Sequence, residues 1–591
     1  MNDLRRLADR HWIAIVGVIF LAAATYLIWV KWGAIQRFGL TDTDDNMRMS
    51  QVRVWLGGQG WYDLRQYKMD PPGGANIHWS RVVDLPIAGL ILIARPFLGF
   101  FGAEKFAAAL APLIPLALTM FAMAVTTRRL VSPLAVLLAP VLLICGASAL
   151  SMFSPLRVDH HGWQLTCLAW TIAGIADRDR VRGGVTAGLA SALSLTIGLE
   201  LLPYVAMAAA ATALRWALDR EDAPRLTAYG AALAAGSAAG FMLFASYANR
   251  PPVCDALSPV WLSVALLGGG LLVFISRLSV PHPGVRLTLA VVVGLTVAGF
   301  YVALWPHCVG MLEGISPKLK RDWFDHVREA RPLYVQDWRR IVTLLVMPLL
   351  GLAGAALSAW RRRGSPDFIP WAVVALWTLC SLLLLLWQMR AAASAQVLAI
   401  PGVTALAFLV VPWIMRADVM VVRVLGVAAV FALLSGTAVN LVIDRIPAKP
   451  VGETRKKVNL ANRRCPTLSA LRPIAKLPAQ TVLTFVDFGP RLITVTHHRA
   501  IAGPYHRNGE AILDVQRAFR GNSEDALAIA RKHGATLLLI CPYYSESTIY
   551  AKENPKGFYR QLMRGDVPGW LSPVDLPKNS PFKAWRIAPS I

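Results

Sequence analysis

The sequence predicts an α-helical polytopic membrane protein of about thirteen spans, with a small extracytoplasmic α/β domain at its C-terminal end. Three observations carry this. The 591 residues are 55% hydrophobic and only 16% charged, where soluble domains average about 25% charged. Apolar segments approaching the roughly 20 helical residues that cross a bilayer core recur as far as residue 443. Arginine clusters occupy every second polar link between them, the cytoplasmic signature of membrane topology.

The first span is His11 to Gly33. It follows a short charged lead, has no small-residue cleavage pattern after it, and reads as a retained helix rather than a removable signal. Further apolar segments cover 104–127, 131–150, 163–176, 185–198, 200–217, 226–247, 260–277, 285–305, 340–359, 368–388, 396–415 and 419–443. Arg128-Arg129, Arg178 with Arg180 and Arg182, Arg215 with Arg220, Arg277 with Arg286, Arg361-Arg362-Arg363, and Arg416 with Arg423 mark the cytoplasmic links. Asp84 to Phe101 is also apolar, but Pro86, Arg95 and Pro96 interrupt it. A crossing there would turn every arginine cluster outward, so a re-entrant or interfacial helix is expected. The membrane domain is therefore 1–443, with long outer loops at 34–103 and 306–339, and 444–591 is the outer domain. Within it Thr481 to Phe488 reads as a strand, Ser523 to His533 as a helix ended by Gly534, and Thr536 to Ile540 as a buried strand. Strand, helix and strand in that order give an α/β unit.

Net charge is +25, and from Asp444 onward 23 basic residues face 11 acidic ones. Beyond topology, that surplus suits lipid head groups, a phosphorylated donor or an acidic glycan; nucleic acid is excluded by the outer location. Cys145, Cys167 and Cys380 lie in apolar spans as small core residues. Cys254 with Cys308, and Cys465 with Cys541, fall in outer regions where either pair can oxidise.

The acidic residues gather in outer loops. Thr41-Asp42-Thr43-Asp44-Asp45-Asn46 places three acids in four residues, which suits a helix cap as well as a site. Ser154-Pro155-Leu156-Arg157-Val158-Asp159-His160-His161 packs three potential ligands into one turn, and Asp159 and His161 share a face if the backbone there is extended. Glu329 lies in the 306–339 loop, Arg390 at an outer span end, and Glu200 between two short spans near the same surface. Carboxylates and imidazoles together are ligands for a hard or borderline divalent cation.

The order of these motifs resembles that of the membrane-embedded glycosyltransferase C (GT-C) superfamily, and of oligosaccharyltransferase catalytic subunits within it. The resemblance implies that Asp44, with Asp42 and Asp45 as alternates, is the first-loop acid that binds metal and orients the acceptor. It implies that Asp159 and His161 form the second acidic motif, with His160 beside them. Glu329, in Val327-Arg328-Glu329-Ala330-Arg331-Pro332, is similar to the glutamate of the Ser-Val-Ser-Glu-His-Gln-Pro type loop, which faces metal and acceptor. Arg390 is similar to the arginine that binds the donor phosphate, a task that Arg81 and Arg331 would share. Phe485-Val486-Asp487-Phe488-Gly489 stands where those enzymes carry Trp-Trp-Asp-Tyr-Gly, and without the tryptophans recognition of an asparagine sequon is not implied. Asp487 and His506, the latter in Pro504-Tyr505-His506-Arg507-Asn508, then read as acceptor-side residues.

The expected function is transfer of a sugar or oligosaccharide from a polyprenyl-phosphate or polyprenyl-pyrophosphate donor to a glycan, lipid or protein acceptor. It would be inverting, would depend on Mg²⁺ or Mn²⁺, and would take place at the periplasmic face of a bacterial inner membrane. The competing readings are a transporter or flippase, and a scaffold subunit of a polysaccharide export or assembly system. Transporters concentrate their charged residues near the bilayer midplane, whereas these spans are almost free of charge.

Overall fold

The computed structural model describes residues 2–310, 315–447 and 450–589. The chain begins with α1 (Asn2–Gln36), α2 (Thr43–Leu56), α3 (Asp84–Leu110) and α4 (Leu113–Leu130), and continues as a helical bundle to Arg445. Among the described residues, seven helices are long and apolar enough to cross a membrane, or eight if Met420–Leu434 and Thr437–Arg445, bent by 79°, form one broken span. This is fewer than the thirteen expected spans, for a physical reason. His161–Ile175, Leu202–Leu218 and Phe368–Leu384 have 15 to 17 residues, a rise of about 22–26 Å against a hydrocarbon core of about 30 Å. His161–Ile175 also packs largely against protein rather than lipid. At Gly188 a Cβ would lie 2.6 Å from the Tyr229 carbonyl oxygen, so Arg180–Ile197 and Ala223–Phe244 touch backbone to backbone.

α3 starts and finishes at one end of the bundle. Asp84 pairs with Arg48 of α2 at 2.9 Å, and Glu104 with Arg53 of α2 at 2.8 Å. The carbonyl of Ala108 accepts from Leu156 N at 2.8 Å. The helix doubles back at Gly99, whose φ of +65° lies in the left-handed region that glycine adopts without a Cβ clash.

The same end carries the α/β domain. Its sheet has the order β2-β1-β3-β5-β4, with β1 (Thr481–Leu483), β2 (Arg499–Ala500), β3 (Ala535–Ile540), β4 (Leu571–Pro573) and β5 (Lys583–Ile587). β1 runs parallel to β2 and β3, and β5 antiparallel to β3 and β4. The helix Ser523–Lys532 is capped by Asn522, and Gly534 at φ +60° turns the chain into β3. β1 is shorter than the sequence suggests. Glu546 accepts hydrogen bonds from Val486 N at 2.9 Å and Asp487 N at 2.7 Å, which diverts the chain into a 3-10 turn. Both outer cysteine pairs, Cys254–Cys308 and Cys465–Cys541, are disulfides.

The domain is held to the bundle by buried polar contacts. Arg491 donates to Phe38 O and Asn46 Oδ1, Thr494 shares a hydrogen bond with Ser50, and Arg53 donates to Thr494 O. Arg507 grips Asp255 at 2.6 and 2.8 Å.

Candidate functional site

The start of α2 assigns different tasks to its three acids. Asp42 caps the helix, accepting from Thr43 N at 2.6 Å, and Asp45 returns a bond to Asp42 N at 2.9 Å. This reciprocal arrangement satisfies backbone amides that the first turn leaves orphaned. The other oxygen of Asp45 accepts from Asp159 N at 3.1 Å. Asp45 is fully buried and both its oxygens are engaged, so the structure gives it an architectural place and not the catalytic one considered from sequence. Asp44 instead brings a carboxylate oxygen within 4.8 Å of ligand atoms of Asp159 and His161.

The turn before His161 is strained in order to aim Arg157 inward. Leu156 has φ +76°, at a cost of about 1–3 kcal/mol for a non-glycine residue. Its burial and its bond to Ala108 O hold it there. Arg157 then lies 2.7 Å from Asp42, 2.7 Å from Asp159 and 3.6 Å from Asp45. Sequence reasoning passed over this arginine, although its position two residues before Asp159 was the available signal. Asp159 Oδ1 accepts from His161 N at 3.0 Å. Its Oδ2 is buried and, close as Arg157 is, receives no well-directed hydrogen bond among the described residues.

Three aspartates, Asp42, Asp45 and Asp159, thus surround Arg157, with Asp44 close to Asp42 and Asp159, and the electrostatics reflect the surplus. Burial and the nearby charges of Asp42, Asp159 and Glu329 push the Asp44 carboxyl up to about 8. Burial also lifts Asp45 well above the usual range. For Asp42 and Asp159 burial acts in the same direction, but Arg157 more than offsets it and holds both low. Two carboxylates and one imidazole with ligand atoms this close suit a divalent cation held by Asp44, Asp159 and His161.

Around this cluster, His160 Nε2 lies 2.9 Å and His161 Nδ1 2.8 Å from the two oxygens of Glu200. Glu329 is half-exposed, its charge is felt by Asp44, and it lies 3.9 Å from Arg390. Arg331 is exposed, and its carbonyl accepts from Met389 N, which ties the two loops together. Asp487 is also near, since burial, Glu546, Asp42 and Asp44 together raise its carboxyl well above the usual range.

Two expected residues are not brought to the cluster. Arg81 is buried and donates to Asp84 and to the carbonyls of Gly60, Trp61 and Asp63, so its guanidinium is already committed and does not face a donor phosphate. His506 contacts Asp255 at 2.6 Å in the interface between domain and bundle.

No family model matches the chain, and no curated protein matches it. Solved structures do. The archaeal oligosaccharyltransferase AglB from Archaeoglobus fulgidus, in complex with an inhibitory peptide and a dolichol-phosphate, aligns with a TM-score of 0.66 at 16% identity. That alignment covers 91% of this chain and 71% of that one. The A. fulgidus oligosaccharyltransferase tethered to an acceptor peptide containing the NVT sequon gives 0.63 at 16% identity, covering 92% and 71%. Its complex with Zn and sulfate gives 0.55 at 15%, covering 88% and 67%. The chain therefore has the GT-C membrane fold with a C-terminal α/β domain; at this level of identity the likeness speaks for fold alone.

Proposed function

We propose that the protein is an integral membrane glycosyltransferase. It moves a sugar or oligosaccharide from a polyprenyl-phosphate or polyprenyl-pyrophosphate donor to a glycan, lipid or protein acceptor, with inversion at the anomeric carbon. Its place is the bacterial inner membrane, with the site and the α/β domain on the periplasmic side. The observation that carries this reading is the surplus-acid cluster of Asp44, Asp159 and His161 beside the loosely paired Glu329 and Arg390.

Each residue has a task that its surroundings support. Arg390 is about 30% exposed, and among the described residues its ion-pair contact is a loose 3.9 Å one with Glu329, which suits a planar fork that turns to a donor phosphate. Arg331, on the adjoining loop, adds positive charge at the same mouth. Glu329 and Asp44 orient the acceptor nucleophile and accept its proton. Asp487, presented by the turn after β1, faces the acceptor from the domain side. Asp44, Asp159 and His161 would hold a divalent ion such as Mg²⁺ or Mn²⁺, which would supply positive charge against the departing phosphate. The likeness to a transferase solved with dolichol-phosphate and peptide supports the donor and acceptor classes as an analogy of fold.

The test is turnover of synthetic polyprenyl-phosphate sugars by purified protein in nanodiscs, following release of polyprenyl phosphate by mass spectrometry. Turnover should require a divalent ion and fall by about 10²-fold or more in Asp44→Asn and Arg390→Ala, both remaining monodisperse. Passage of intact lipid-linked sugar across sealed vesicles without cleavage would replace this reading with the transporter.

A further inference from the structure

Glu200 stands in the short link between the helices Arg180–Ile197 and Leu202–Leu218. That link is pinned to the helix that carries His161. Gln164, one turn beyond His161, donates to Gly198 O at 2.9 Å and to Ser194 O at 3.1 Å. The carboxylate of Glu200 therefore approaches two consecutive imidazoles from a fixed base. A carboxylate only accepts, so the contacting nitrogens, His160 Nε2 and His161 Nδ1, must be the ones carrying hydrogen. In its neutral form His161 is then left with a bare Nε2, which lies 3.7 Å from Asp159 Oδ2. His160, only 5% exposed, is left with a bare Nδ1 that has no hydrogen-bond partner among the described residues.

His160, His161 and Glu200 also satisfy the spacing of a cation site of their own. Their separations argue against it. Ligand atoms around a tetrahedral ion with bonds near 2.1 Å stand about 3.4 Å apart, whereas these contacts are 2.8 and 2.9 Å, ordinary hydrogen-bond lengths.

We propose that Glu200 is a positioning residue. It clamps both rings at once, fixes His161 in the tautomer whose Nε2 faces the cation, and makes that nitrogen a stronger donor. The proposal rests on the cation reading above and deepens it. A ligating histidine whose other nitrogen donates to a carboxylate is held in orientation and made more basic. Imidazole donors suit borderline transition ions more than Mg²⁺. The Glu200–His161 pair thus biases the site toward Mn²⁺ over Mg²⁺.

The experiment is Mn²⁺ titration of the full chain in nanodiscs by electron paramagnetic resonance, with electron spin echo modulation to detect a coordinated imidazole nitrogen. Wild type should bind one Mn²⁺ tightly with nitrogen coupling, and Asp44→Asn should lose it. Glu200→Gln should weaken Mn²⁺ binding 10- to 100-fold and reduce the nitrogen coupling, because a carboxamide has one acceptor oxygen for two N–H groups. It should also narrow the preference for Mn²⁺ over Mg²⁺. Glu200→Asp, which keeps the carboxylate, should restore part of both losses and reads the same quantities if the glutamine variant does not fold. In a His161→Ala background, Glu200→Gln should have no further effect. Wild-type affinity with unchanged nitrogen coupling in Glu200→Gln overturns the proposal while leaving the cation site standing. Absence of Mn²⁺ binding in wild type, or full binding in Asp44→Asn, overturns the cation reading and this proposal with it.

Discussion

The helices His161–Ile175 and Arg180–Ile197 have buried carboxylates near both ends, balanced in opposite ways. Away from the site, Asp177 is met by Arg129 at 2.7 Å and by two nitrogens of Arg182 at 2.7 and 2.8 Å. Asp222 is met by Arg215 at 2.7 Å and by Arg225 at 3.1 Å. Each acid there has at least two guanidinium partners. At the site end the count reverses, with three aspartates gathered round the single guanidinium of Arg157. Buried charge is tolerated when it is paired. The matched end is thus complete as architecture, and the acid-rich end is where the proposed cation would be held.

The largest effects should come from neutralising acids at each end in turn. Asp44→Asn should cut turnover by about 10²–10³-fold with little loss of stability, because it removes the member of the set whose carboxyl burial and neighbouring acids push up to about 8. Asp222→Asn should do the reverse, leaving Arg215 and Arg225 under-compensated. A loss of about 3–5 kcal/mol in unfolding free energy is expected, with turnover per folded molecule unchanged. Paired chemical denaturation and activity assays read both. Equal stability losses at the two ends would erase the contrast.

A smaller effect follows from adding the missing charge. A ligand that binds only the folded state stabilises by about 2.7 kcal/mol at a hundred times its dissociation constant. Millimolar Mn²⁺ should raise the melting temperature of wild type and of Asp222→Asn, and chelation should reverse it. Asp159→Asn should not respond. A response in Asp159→Asn equal to wild type would move the ion elsewhere.

The contrast also shows what could be read from the chain beforehand. The membrane class, the acid-bearing loops and the helix and strand from Ser523 to Ile540 were legible, because hydropathy and charge sign are local. That α3 is interrupted followed from Pro86, Arg95 and Pro96, although the break itself falls at Gly99. The division of labour among Asp42, Asp44 and Asp45 was not legible. The Asp42/Asp45 spacing permits a cap, but only the approach of Arg157 and Asp159 N leaves Asp44 toward Asp159 and His161. Arg81 misled for a related reason. Sequence places it in the right loop, but the carbonyls that occupy it come from residues 60 to 63, some 20 positions earlier. Asp255 was passed over altogether, since both its partners lie about 250 residues away.

Asp255 gives the smallest effect and the finest test of the matched-charge idea, because it sits at neither end cluster but in the seam between bundle and domain. The loop that bears it is fixed next door by Cys254–Cys308. Burial alone would raise its carboxyl, but hydrogen bonds from His506 and Arg507, with the charges of His78 and Arg507 nearby, hold it well below the usual range. In the unfolded chain the same group titrates near 4. A depressed folded pKa means that the stabilisation is fully present above about pH 4 and is lost as pH falls through the folded value. Asp255→Asn should cost about 1–3 kcal/mol near neutrality, the scale of hydrogen bonds to a charged group. The gap between its melting temperature and that of wild type should then close progressively below pH 4. A gap that stays constant down to pH 3 would mean that the carboxylate contributes by shape alone, and that pairing is not what holds this seam.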